Sequence, residues 1–150
     1  MSTAPVPNGK TEEVLVVVGV AIVRMGGFRH GRQVLLLKRR LSDGREFYTF
    51  PGGKLESGES LIQALMREVR EGLNCRSIGK LEFITNFQAE GLPGVMVNFF
   101  LYWTETAGAM KFESKEYVTA QWLEFEVAVE SSPTPATRLG LLELRQRGLI

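Results

Sequence analysis

Four glutamates grouped around a glycine-rich turn and the helix pattern that follows it carry the clearest chemical potential in this chain. The stretch from Phe50 to Cys75 reads FPGGKLESGESLIQALMREVREGLNC. Glu56 and Glu59 lie in or beside the loop, while Glu68 and Glu71 fall three residues apart on the last turns of the predicted helix. That spacing puts both side chains on one helix face. In isolation the arrangement is unfavourable, because like charges so placed cost roughly a few tenths of a kcal/mol. Acids at a helix C-terminus also oppose the macrodipole by roughly 0.3–1 kcal/mol each. A bound cation reverses the sign of both effects, and a local rule broken in this way points to function. Ligands that are all oxygens suit a hard ion, Mg²⁺ or Mn²⁺, rather than zinc. The same residues admit a plainer account, a solvated helix face whose acids are neutralised by Arg67 and Arg70. The Pro51-Gly52-Gly53 turn is by itself ordinary.

These groups need elements to position them. Ser60 to Glu71 reads as a helix, with Leu61, Leu65 and Val69 at four-residue spacing and Ile62 and Met66 widening the apolar stripe. Gly72 and Asn74 supply stop signals. Upstream, Val14 to Arg24 is β-branched and almost continuously apolar, the pattern of a strand covered on both faces. The glycine-rich turn Met25 to Arg32, with His30 at a solvated tip, joins it in a hairpin to a strand over Gln33 to Arg39. Leu41 to Gly58 reads as a loop region. Downstream come strands Lys80 to Phe87 and Val95 to Thr104, joined through the turn Gly91 to Gly94, then a shorter strand Val118 to Phe125 around Trp122. A last helix is expected from Pro135 to Arg147, with Leu139, Leu142 and either Leu144 or Ile150 facing inward. Phe83, Phe87 and Phe99 are expected in the core, with Trp103 and Trp122 in the core or on a sheet face and Cys75 packing as a small apolar residue. The order β-β-loop-α-β-β-β-α predicts an α/β (α+β) fold, a mixed sheet flanked by helices.

Composition narrows the function classes. With 44% apolar and 23% charged residues in 150, the chain has the makeup of a folded domain. One domain over residues 14–150 is expected, preceded by a polar tail over residues 1–13. Its 18 basic and 17 acidic residues leave a formal net charge of +1. No basic footprint for duplex nucleic acid or an anionic membrane follows from that balance, whereas a small anionic ligand needs only a few local cations. Cys75 is the single cysteine, which excludes an intramolecular disulfide and favours a reducing compartment. The longest apolar run, Val14 to Val23, falls short of the roughly 20 residues that cross a bilayer and lacks the flanks of a signal peptide. A soluble cytoplasmic protein is expected. Exposed strand edges and the apolar N-terminal strand would allow a homodimer as well as a monomer.

The stretch as a whole resembles the Nudix box, written G-x5-E-x7-R-E-U-x-E-E-x-G-U with U a bulky apolar residue. Gly53, Glu59, Arg67, Glu68, Val69, Glu71 and Cys75 match seven of its nine specified positions at the right spacing. The lead-in Phe50 to Glu56, the run Phe99 to Trp103 and the later Glu116-x5-Trp122 look like the MutT branch. The resemblance implies a Nudix-type α/β/α sandwich that hydrolyses a pyrophosphate link in a nucleoside diphosphate joined to another moiety, using Mg²⁺ or Mn²⁺. By that resemblance Glu71 is a metal ligand and Glu68 a ligand or the base that orients water. The Gly52 carbonyl and Glu116 complete the shell, Glu59 and Arg67 form a structural ion pair, and Arg39 and Lys54 meet substrate phosphates.

Two positions depart from the box. Gly72 replaces the second glutamate of the Glu-Glu pair, a principal metal ligand in the MutT branch, and Asn74 replaces the following glycine. The first change removes a charge and one or two oxygen ligands, which water can partly replace on Mg²⁺. Three readings follow: an active hydrolase, a nucleotide-binding protein with an impaired site, and an enzyme in which Glu56, Glu113 or Glu116 supplies the missing ligand. A MutT-like chain suggests a nucleoside triphosphate cut to monophosphate and pyrophosphate. Thr137 stands near the place of the asparagine that reads an oxidised base in that branch, so nucleotide sugars, ADP-ribose and dinucleoside polyphosphates stay open.

Overall fold

The computed structural model describes residues 13–26, 31–105, 107–113, 117–132 and 134–150. His30, Glu116 and the N-terminal tail up to residue 12 lie outside the described residues. In chain order the elements are β1 (Leu15–Met25), β2 (Arg32–Arg40), β3 (Glu46–Thr49), β4 (Gly52–Lys54), α1 (Leu61–Leu73), β5 (Glu82–Glu90), β6 (Met96–Thr104), β7 (Tyr117–Leu123), α2 (Phe125–Glu130) and α3 (Pro135–Gln146).

The composition of β1 follows from its place at the centre. Val18, Val20 and Ile22 pack with Ala64, Leu65 and Val69 of α1. The alternate residues Ala21 and Val23 pack in a second core with Leu141 and Leu144 of α3. Successive strand residues point to opposite faces, so a strand covered by a helix layer on each side has to be apolar throughout. β1 runs parallel to β6 over Leu15–Ile22 and antiparallel to both β4 (over Val17–Gly19) and β2 (over Val23–Met25). β2 also pairs with β3 and β7, and β6 with β5, which gives one mixed seven-stranded sheet between helices.

Helix α1 starts and stops on identifiable residues. The Ser60 hydroxyl accepts from the Gln63 backbone N–H at 3.1 Å while Gln63 Oε1 accepts from the Ser60 N–H at 2.9 Å, a capping box. Such a cap stabilises a helix by about 1 kcal/mol. Asn74 ends the helix in the left-handed conformation, φ 48°. Asparagine is among the few non-glycine residues that adopt that conformation readily, so it performs the stop that glycine would.

Several expectations are corrected. The region 41–58 is not all loop, since it holds the short strands β3 and β4. β4 is Gly-Gly-Lys, with no intrinsic strand preference, and it forms because β1 offers it a ladder. The strand expected to end at Phe125 stops at Leu123, and Phe125 instead opens α2. On α3 the buried face is Ala136, Thr137, Gly140, Leu141 and Leu144, while Leu139 and Leu142 face solvent at 45% and 49% exposure. Ile150 is buried against this core. Ile62 and Phe83 are exposed, Phe83 lying edge-on to Tyr102 at 5.5 Å between ring centroids. The apolar N-terminal strand lies inside the sheet, between β2 and β6, rather than at its edge. Cys75 is buried, its thiol donating to the Ser77 carbonyl at 3.2 Å. No described helix is long and apolar enough to cross a membrane.

Candidate active site

A cleft of about 350 Å³ opens where β1, β4, α1, β6, β7 and the start of α3 meet. Its lining divides by chemistry into a charged part and an apolar part. The charged part comprises Arg39 of β2, Gly52, Gly53 and Lys54 of β4, Glu68 of α1 and Tyr117 of β7. The apolar part comprises Val17, Val97, Phe99, Leu92 and Ala136, with Thr134 and Thr137 as further polar groups. Phe99 therefore packs in the core and also lines the cleft, stacked near Phe50 with ring centroids 6.0 Å apart.

Local backbone geometry brings the charged part together. Gly52 crosses β1 so closely that a Cβ there would overlap the Val18 carbonyl, and its φ of 151° also favours glycine. A Cβ on Gly53 would overlap the carboxylate of Glu68. The Pro-Gly-Gly turn thus lets β4 lie against β1 on one side and admits the Glu68 side chain on the other.

Behind Glu68, Arg67 gathers the four acids. Its Nε and Nη2 donate to both oxygens of Glu59 at 2.7 and 3.0 Å, a bidentate pair. Nη1 donates to Glu68 Oε1 at 2.9 Å, and Nη2 also reaches the Lys54 carbonyl at 3.1 Å. Glu56 and Glu71 each lie 3.5 Å from Nη1. The hydrogen bond from Arg67, assisted by the backbone N–H of Glu56, holds the Glu59 carboxyl below its ordinary range. The same pairing with Glu59, and then with Glu68, raises the Arg67 guanidinium above its own. One guanidinium so placed offsets the crowding of acids that the sequence pattern shows as unfavourable.

The structure brings Arg39, Gly52, Lys54 and Glu68 together in the lining of the cleft. Glu59 and Arg67 stand behind that lining, and Glu71 lies beside it with its side chain 63% exposed. Glu116 is outside the described residues, and among those described no cluster of three acidic, histidine or cysteine side chains closes on one point. The donors in the charged part, the Glu68 carboxylate and the Gly52 carbonyl, are oxygens, with the Glu71 carboxylate close by, and that set fits a hard divalent cation. Two features have no signal in the sequence. Tyr117 donates its hydroxyl to the Gly52 carbonyl at 3.3 Å, and Thr134 donates to the Thr137 hydroxyl at 3.1 Å in the buried apolar part.

Comparison with known proteins places this geometry. The family model described as NUDIX domain matches residues 15–142. The chain is 29% identical over 143 residues to the zebrafish (Danio rerio) protein named 8-oxo-dGDP phosphatase NUDT18, covering 92% of this chain and 39% of that one. It therefore spans about two-fifths of the length of that curated relative. Among solved structures, the NUDIX domain of Shewanella oneidensis NrtR complexed with ADP ribose superposes with a TM-score of 0.73 at 15% identity, over 91% of this chain and 89% of that one. The MutT NUDIX hydrolase from Burkholderia pseudomallei gives 0.68 at 25% identity, over 89% and 99%.

Proposed function

The chain belongs to the NUDIX domain family, and from that premise we propose that it is a divalent-metal-dependent pyrophosphohydrolase acting on a nucleoside triphosphate, with monophosphate and pyrophosphate as products. The observation that carries the reading is the mixed lining of the cleft, apolar at Val97, Phe99 and Ala136 and charged at Arg39, Lys54 and Glu68. A nucleoside polyphosphate has the same polarity. Its base buries apolar surface, and its phosphates need cations and fixed donors.

Arg39 and Lys54 are the cationic side chains of the cleft, and in this reading they hold the phosphate chain in line for attack. Glu68 takes the proton from the attacking water, and the water oxygen bonds to phosphorus as the bond to the leaving pyrophosphate breaks. General-base help of this kind contributes roughly 10²–10⁴-fold. Glu71, the Gly52 carbonyl, Glu116 and, where it acts as ligand, Glu68 would hold Mg²⁺ or Mn²⁺, which would supply charge neutralisation and water activation. Glu59 and Arg67 keep the Glu68 carboxylate aimed, through the 2.9 Å contact.

A second reading has its own support in the zebrafish relative, whose name is that of a nucleoside diphosphate phosphatase with an oxidised guanine. Under it the same residues cut a diphosphate to monophosphate and phosphate. The test is a panel of canonical and oxidised tri- and diphosphates, nucleotide sugars, ADP-ribose and dinucleoside polyphosphates, with Mg²⁺, Mn²⁺ or chelator. Metal-dependent release of pyrophosphate supports the first reading, and release of phosphate from diphosphates alone supports the second. A folded protein inactive on the whole panel would mean that Gly72 has cost the family activity, leaving a nucleotide-binding role.

A further inference from the structure

We propose that Tyr117 is a positioning residue that has taken over the space, and the contact with the β4 turn, left by the missing side chain at position 72. The functional half of this inference rests on the hydrolase reading above.

Three observations meet at one point. Gly72 is buried in the last turn of α1, and a Cβ built on it would lie 3.7 Å from Tyr117 Cε2 and 4.0 Å from Leu37 Cδ1. Those are ordinary contact distances, so alanine fits, and a longer side chain directed that way meets the ring or the leucine. Tyr117 is itself only 7% exposed, leaving the ring little room to retreat. Next, the β2–β7 ladder slips between Lys38 and Arg39, where Arg39 faces Tyr117. An irregularity of that kind re-aims a side chain, and such features cluster beside active sites. Finally, the ring ends in the cleft, where its hydroxyl donates to the Gly52 carbonyl at 3.3 Å.

Together these assign a single role. The ring borders the space into which a side chain at 72 would extend toward Leu37 of β2. Its hydroxyl fixes the Gly52 carbonyl, whose second lone pair stays available to a cation. A glutamate at 72 and a tyrosine at 117 are therefore alternatives: with the ring in place, a carboxylate at 72 is pressed against Leu37 without its oxygens satisfied.

The test uses the full chain as wild type, Tyr117→Phe, Gly72→Glu, Tyr117→Ala and the Gly72→Glu/Tyr117→Ala double variant. Thermal melting and Mn²⁺ binding by electron paramagnetic resonance are read on each. Tyr117→Phe is expected to keep its Tm within about 2 °C while binding Mn²⁺ about fivefold more weakly, the scale of one lost hydrogen bond. Gly72→Glu alone should lower Tm by roughly 5 °C or more. In the double variant the added glutamate should no longer lower Tm relative to Tyr117→Ala. It should also tighten Mn²⁺ binding at least about tenfold over that variant, as an added carboxylate ligand would. A Gly72→Glu protein that melts like wild type overturns the exclusion, and unchanged Mn²⁺ affinity in Tyr117→Phe overturns the positioning role. Wild-type protein that binds no Mn²⁺ overturns the hydrolase reading and the positioning role together. Binding by wild type with Tyr117→Phe unaltered overturns this inference alone.

Discussion

Gly53→Ala separates the two things a glycine at this position could do, hold the fold or admit a carboxylate. Gly53 does not have a positive φ, so alanine meets no backbone strain there. The three atoms nearest to an added Cβ all belong to the Glu68 carboxylate, with Cδ at 2.5 Å. Carbon atoms in normal contact sit about 3.5–4.0 Å apart, so the carboxylate has to retreat by about 1 Å. The retreating group is the end of a flexible side chain, so the fold yields at little cost and Tm should stay within about 2 °C of wild type. Under the proposed hydrolase reading catalysis has no such slack, because a 1 Å misplacement of a reacting group costs on the order of 10²-fold in rate. The expected result is a kcat about a hundredfold lower with nearly unchanged melting, measured by phosphate release at saturating metal and by calorimetry. A kcat within about threefold of wild type would refute the reasoning, since it would show that the exact seat of Glu68 does not matter. A large drop in Tm would refute it differently, by making Gly53 a packing residue.

Three more predictions follow from the same site and its supports. Glu68→Gln and Glu71→Gln should each lower turnover at least about a hundredfold while Tm changes little, as expected of groups whose role is chemical; parallel loss of folding and activity in either would favour a structural role. The Glu59 carboxyl is held below its ordinary range, first by the Arg67 hydrogen bond, so it contributes stability above the unfolded carboxyl value and loses it as pH falls through the folded one. Melting curves should accordingly show wild type losing Tm more steeply than Glu59→Gln on acidification below about pH 4.3, and parallel slopes would count against the pairing. Leu141→Ala, at a fully buried position, should cost about 2–5 kcal/mol in denaturant unfolding. Leu142→Ala, at 49% exposure, should stay within about 0.5 kcal/mol.

How far the sequence could be read depends on whether a residue's partner is local. Helix α1 was legible because its apolar stripe and stop lie within fourteen residues, Leu61 to Asn74. The ion pair of Glu59 with Arg67 was implied by the family resemblance, and the structure forms it across the same turn and helix. The inward face of α3 was not legible. Leu139 with Leu142 and Leu141 with Leu144 are both i, i+3 pairs, so periodicity offers the two faces equally. Gly140 breaks the tie in the structure, because a Cβ there would lie 2.8 Å from Phe50 Cε2. That partner is ninety residues away, where no local rule reaches. Strand β4 is similar: Gly-Gly-Lys is a strand only against Val17–Gly19 of β1.

The glycines make the point general for this site. Gly52, Gly53 and Gly140 each stand where another group comes close, and the groups are respectively the Val18 carbonyl, the Glu68 carboxylate and the Phe50 ring. A glycine in a sequence announces a close approach without naming what approaches. At Gly72 the motif alone reads as a loss, a glutamate gone from the helix. The fold supplies the missing half: the vacated volume borders a tyrosine whose hydroxyl reaches the same turn as the Glu68 carboxylate. Position 72 is therefore one side of a two-residue arrangement, and what it does to metal binding has to be judged together with Tyr117.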